Sequence, residues 1–172
     1  MRNQGSRVGD HTTLTPGDQR LTFSRMTHQI HGTCVAVSGV GVLLRGPSGS
    51  GKSDLALRLI DDGAILVADD RVNLAALDGV LSASAPEKLA GMIEVRGMGI
   101  LRVPSLPRAV IGLVIDLVDP HHIERLPEPT VCCLLGIEAP LLRLAPETAS
   151  AAARVRLAVD AAARPTMRVA AS

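Results

Sequence analysis

Gly46-Pro47-Ser48-Gly49-Ser50-Gly51-Lys52-Ser53 is the stretch on which the reading of this chain turns. It fits G-x-x-x-x-G-K-S, the pattern of a phosphate-cradling loop. Phosphate concentrates negative charge, so its binding loop needs several converging N–H donors. Glycines let the backbone bend tightly and approach without a side chain in the way. In this pattern Lys52 reaches the β- and γ-phosphates and the Ser53 hydroxyl takes a place on Mg²⁺. The helix that follows adds its positive N-terminal end. The context agrees. An aliphatic run at 40–44 precedes the loop, and an amphipathic segment at 55–60 follows it.

Working outward, 172 residues with 47% hydrophobic content suit one domain with an ample core. That core is aliphatic, because the chain has one Phe and neither Tyr nor Trp. Stacking on single-stranded nucleic acid therefore has no platform. A net charge of +1 without a long basic run gives no footprint for DNA or an anionic membrane. No apolar run approaches the roughly 20 residues of a bilayer span. Cys34, Cys132 and Cys133 form no metal or redox spacing, so they read as reduced core thiols of a cytoplasmic protein.

Residues 1–28 are polar and aperiodic and read as disordered or weakly ordered; the domain proper spans 29–164, and 165–172 reads as a frayed tail. Segments 33–38 and 40–45 are β-rich around Gly39, which predicts an antiparallel hairpin. A helix is expected over 51–62, stopped by Gly63. A short buried strand at 65–68 ends at Asp69 and Asp70. Segments 72–76 and 80–83 flank Asp78-Gly79, a hairpin turn signal. One helical turn is expected at 86–90, and strands at 92–96 and 100–103 around Gly97-Met98-Gly99. The aliphatic runs 110–117 and 130–135 read as buried central strands, and 146–163 as a closing helix with Pro146 in its first turn. Hairpins outnumber βαβ units. The expected class is α/β with a mixed, largely antiparallel sheet and a P-loop helix.

Such a loop needs acidic partners to orient Mg²⁺. Asp69 and Asp70 follow one strand, and Asp116 and Asp119 lie at the end of another. Carboxylates at the C-terminal ends of strands are where sheet-based sites form. The tandem Asp69-Asp70 is better placed, since one helix separates it from the loop; Asp116 reads more readily as a strand-end residue. Neighbours on a strand point to opposite faces, so one of the pair faces the phosphates unless the chain turns there. His31 stands before the first hairpin beside Gly32, while Glu94 reads either as a solvent-facing strand charge or as part of a site loop.

Four blocks together resemble the C-terminal catalytic domain of HPr kinase/phosphorylase. They are Ile30-His31-Gly32, the loop 46–53, Val67-Ala68-Asp69-Asp70-Arg71-Val72, and Ile93-Glu94-Val95-Arg96-Gly97-Met98-Gly99-Ile100. The resemblance covers about residues 29–120. It implies a fold like that of phosphoenolpyruvate carboxykinase, ATP and Mg²⁺ as cofactors, the serine of an HPr-like phosphocarrier protein as substrate, and a homo-oligomer, commonly a hexamer. It implies that Lys52 and the loop amides hold phosphates, and that Ser53, Glu94 and Asp70 support Mg²⁺. By the same resemblance Asp69 is the base, His31 lies near the acidic pair, and Arg96 and Gly97 shape the site or the carrier contact.

The chain departs from the family in three places. The family's N-terminal domain has no counterpart ahead of His31. Asp54 stands where glutamate is usual. The Pro-Gly-Arg-Asn block tied to phosphorolysis is missing, so the resemblance does not carry the reverse reaction over. Two other functions fit the same loop: a small-molecule kinase or NTPase, and a non-catalytic nucleotide-sensing module.

Overall fold

The computed structural model describes residues 26–163. The chain runs β1 (Met26–His31), β2 (Thr33–Val37), β3 (Val40–Arg45), α1 (Lys52–Asp61), β4 (Ile65–Ala68), β5 (Arg71–Leu77), β6 (Val80–Ser84), β7 (Met92–Val95), β8 (Gly99–Arg102), β9 (Ala109–Leu117), β10 (Thr130–Leu134), β11 (Ile137–Leu144) and α2 (Ala151–Ala163). Short 3-10 turns occupy Glu87–Leu89 and Pro120–His122. Among the described residues no helix is long and apolar enough to cross a membrane.

Nine strands share one sheet, with β1-β5-β6-β9-β3-β2-β4 as its main path and β10 joined through β11 to β9. The strands β7 and β8 pair separately. The hairpins expected around Gly39 and Asp78-Gly79 form β2/β3 and β5/β6, both antiparallel. Each turn uses positive φ, with Ser38 and Asp78 as well as the two glycines in the left-handed region. The central strand β9 pairs in parallel with β3 and with β11, and antiparallel with β6. Because β3 and β11 both pair with residues 114–116 of β9, they lie on its opposite edges.

That arrangement determines where a site can form. Strand β4 is antiparallel to β2, which is antiparallel to β3, so β4 runs with β3, β9 and β11. Their carboxyl ends, and the start of β2, therefore line one end of the sheet. Across it the order is β11, β9, β3, β2, β4. The P-loop leaves β3 in the middle of this row.

Alternation along the strands makes two hydrophobic layers. Val35, Val37, Val42, Leu44 and Ile115 meet Leu55 and Leu59 of α1 and Val155 and Val159 of α2. Cys34, Ala36, Leu43 and Val114 face the other way, toward Val72, Leu74 and Leu81. Strands β2 and β3 are thus buried on both sides, which explains their largely apolar sequence. Each fully buried Leu contributes roughly 2 to 3 kcal/mol.

The structure corrects several expectations. The closing helix begins at Ala151, not near Pro146, which belongs to the connection after β11. Strand β10 is a largely exposed member at the end of its branch rather than a buried central strand, and Cys133 on it is exposed. Strand β11 was not foreseen; Pro140 interrupts its pattern. Strand β1 carries residues 26–28 of the segment expected to be weakly ordered. The rest of that segment, and the tail at 165–172, lie outside the described residues.

Candidate active site

The P-loop climbs out of β3 and turns into α1 at Gly51, whose φ of +86° is left-handed. No side chain caps the helix, so its first backbone N–H groups face the loop. Lys52 is buried, and its Nζ donates to the carbonyls of Gly46 (2.9 Å) and Pro47 (2.8 Å). Burial lowers its pKa, and the attraction of Asp69 and Asp70 only partly offsets this. A bound phosphate would favour the cationic form and oppose that lowering.

Asp69 directly follows β4 and is 5% exposed. Its Oδ1 accepts from Thr33 Oγ1 at 2.7 Å and from Ser53 Oγ at 2.9 Å; its Oδ2 accepts from the Glu94 backbone N–H at 3.0 Å. One carboxylate thus ties together the start of β2, the P-loop serine and strand β7. Burial of the charge is tolerable because each oxygen has a donor.

Asp70 points elsewhere. The chain turns there, with φ +65°, and the Arg71 N–H donates to the Asp69 carbonyl at 2.8 Å. The Asp70 side chain is 61% exposed. His31 Nδ1 lies 2.9 Å from the Asp70 carbonyl and 3.2 Å from its Oδ1. Both partners are acceptors, so Nδ1 carries the proton in this contact. Gly32 adds its own N–H to the Asp70 carbonyl at 3.2 Å. A side chain at Gly32 would meet the Leu44 carbonyl at 3.0 Å, which is why the residue between β1 and β2 is glycine.

These groups open on one cleft of about 780 Å³, a size that suits a small-molecule ligand. Its wall holds the loop residues Pro47 to Ser53, with His31, Thr33, Asp69, Asp70, Glu94 and Arg96. Gly46 is not part of that wall but lies behind it, where a side chain would strike Ser50 Oγ. Gly97 lies in the exposed turn between β7 and β8. Asp116 is not in the cleft; both its oxygens pair with Arg45 at 2.7 and 2.9 Å. Asp119 lines the cleft while accepting from the His121 N–H at 2.9 Å. No three His, Cys, Asp or Glu side chains form a ready metal cage among the described residues. A Mg²⁺ carried on substrate phosphates needs less: one or two carboxylates and a hydroxyl. Ser53 and Asp69, joined at 2.9 Å, offer a hydroxyl and a carboxylate of that kind, with Glu94 on the same wall.

The family model described as HPr Serine kinase C-terminal domain matches residues 23–145. The chain belongs to this family. HPr kinase/phosphorylase of Clostridium novyi (strain NT) is 51% identical over 78 residues, 45% of this chain and 25% of that protein. The Clostridium beijerinckii protein of the same name is 49% identical over 95 residues, 55% of this chain and 30% of its own length. The matched segment is thus about a quarter of the length of these curated relatives. The structure of the Hpr(Ser) kinase/phosphatase from Coxiella burnetii superposes with a TM-score of 0.67 at 27% identity, covering 81% of this chain and 95% of that one. The mixed α/β sheet with a P-loop helix is therefore a fold shared with that enzyme.

Of the residues that the sequence points to, namely His31, residues 46–53, Asp69, Asp70 and Glu94, all but Gly46 border the cleft. It missed Thr33, the buried donor to Asp69. A threonine opening a β-strand is ordinary, and nothing in its neighbours marks it. Only the pairing of β2 with β4 brings it to Asp69.

Proposed function

We propose that the protein is an ATP- and Mg²⁺-dependent kinase that phosphorylates a serine of an HPr-like phosphocarrier protein. The observation that carries this reading is the meeting of Asp69 with the P-loop serine at 2.9 Å, beside an exposed Asp70 held by His31. Binding and chemistry then have separate carboxylates in one cleft.

In this reading the loop amides, Lys52 and the start of α1 hold the β- and γ-phosphates. Mg²⁺, when bound, neutralises charge on those phosphates, and Ser53, Asp69 and Glu94 are the residues to hold it. Asp69 accepts three hydrogen bonds and is buried, which suits a fixed orienting group. A base that takes a proton from another protein's hydroxyl must be reachable from solvent. We therefore assign Asp70 as the base, with His31 positioning it, and exchange the roles expected from sequence. The serine oxygen bonds to the γ-phosphorus, the bond to the β–γ bridging oxygen breaks, and the serine proton passes to Asp70. ADP leaves.

The test uses labelled ATP with a purified HPr-like carrier and, separately, a metabolite panel. Label on the carrier is expected; label on a metabolite alone would overturn the substrate, and tight ATP binding without transfer would favour a sensing module. Asp70→Asn should lower kcat by roughly 10²- to 10⁴-fold with nucleotide affinity held. Asp69→Asn should instead weaken Mg·ATP binding. The reverse pattern would return the base to Asp69. The reading carries with it a cytoplasmic setting and a homo-oligomer, a hexamer by family resemblance, and a monomer mass by light scattering would remove the latter.

A further inference from the structure

The cleft has a second flank that the phosphate chemistry does not use. At the carboxyl end of the sheet, β2 and β4 bring His31, Thr33, Asp69 and Asp70 to one side of the P-loop. The ends of β9 and β11 lie on the other side. There Leu117, Val118, Asp119, Pro146 and Glu147 line the same cleft.

This flank is built as one wall. The Val118 N–H donates to the Leu144 carbonyl at 3.0 Å, joining the end of β9 to the end of β11. Arg58 of α1 donates to the carbonyls of Pro146 and Thr148 and pairs with Asp54 at 2.9 Å, which fixes the wall to the P-loop helix. Pro146 lies against the loop itself. A Cβ on Gly51 would stand 3.3 Å from Pro146 Cγ.

We infer that this flank is the nucleoside subsite, with the base on Pro146 and Val118 and the ribose hydroxyls donating to the carboxylates of Glu147 and Asp119. The inference rests on the kinase reading above and deepens it. If the γ-phosphate faces Asp69 and Asp70, the rest of the nucleotide must leave the loop toward the opposite flank. That flank offers a half-buried apolar surface and two exposed carboxylates. Carboxylates so close to a polyphosphate would repel it. They suit a group that brings donors, and vicinal hydroxyls are such a group. Asp119 Oδ1 is already engaged with the His121 N–H, which orients the carboxylate and leaves Oδ2 to accept.

The experiment measures affinities of the full chain, with Mg²⁺, for ATP, 2′-deoxy-ATP, 3′-deoxy-ATP and inorganic triphosphate. Wild type should bind ATP more tightly than triphosphate and should lose about tenfold for a missing hydroxyl, the factor a charge-assisted hydrogen bond supplies. Glu147→Ala should cost ATP about tenfold, erase the preference over a deoxy analogue, and leave triphosphate unchanged. Asp119→Asn, which keeps an acceptor for the His121 N–H, should do the same for the other hydroxyl. If both variants bind ATP as well as wild type or better, the carboxylates only repel and the inference fails. It also fails if wild type binds triphosphate as tightly as ATP. Binding of neither ligand would instead overturn the kinase reading.

Discussion

Thr33→Val removes one hydroxyl and little else. Thr33 is fully buried, and valine nearly matches its shape. The lost contact is a 2.7 Å hydrogen bond to a buried carboxylate. Hydrogen bonds to charged groups contribute about 1.5–3 kcal/mol. Here Asp69 keeps Ser53 on Oδ1 and the Glu94 N–H on Oδ2, so the carboxylate is not stranded. The cost should fall at the low end, about 1.5–2 kcal/mol, reduced a little by the methyl group's burial. For a domain of this size that is a fall in Tm of roughly 5–7 °C. Equilibrium urea unfolding would show a lower midpoint with an unchanged slope. Thr33→Ser, which restores the donor, should recover part of the loss. A valine variant as stable as wild type would mean that Asp69 does not depend on this donor, and the account of how its charge is buried would fail.

Three shorter predictions follow from the same geometry. Lys52→Ala should abolish transfer, since the ammonium at the loop is its fixed positive charge. The pKa of Lys52 is lowered in the free protein, so triphosphate affinity should weaken as pH rises through that lowered value, below the ordinary lysine range, with proton uptake on binding. Calorimetry in buffers of different ionisation enthalpy reads that uptake, and Lys52→Arg should not show it; a flat profile in wild type would refute it. Cys34 is buried and its thiol is pushed up to about 12, whereas Cys133 is exposed. A thiol reagent at neutral pH should therefore label Cys133 first and Cys34 only on unfolding, as peptide mapping would show.

Much of this molecule could be read before its coordinates, and the failures have physical causes. Gly39 and Asp78-Gly79 announce their hairpins because only a few residues accept positive φ. Strands β2, β3 and the middle of β9 announce themselves by aliphatic runs, since both faces are covered there, although Val110 near the start of β9 is exposed. Strand β1 gives no such signal: it is exposed along nearly all its length and holds its place by backbone pairing with β5. Strand β11 hides behind Pro140, which removes one ladder donor but leaves the parallel pairing of residues 141–144 with β9 intact. The phosphate half of the site is local in sequence and so legible. The division of labour between Asp69 and Asp70 is not. It depends on the backbone turn at Asp70 and on donors that reach Asp69 from β2, α1 and β7.

That turn has an outcome beyond the reaction. With φ +65°, the backbone at position 70 welcomes glycine, asparagine and aspartate and penalises other side chains by roughly 1–2 kcal/mol. Glutamate would offer the same chemical group one carbon farther out, yet the main chain resists it. The reach of the acid is thus dictated by conformation. A descendant that gave up transfer would find asparagine its least costly resting place, keeping the shape of the pocket while silencing it.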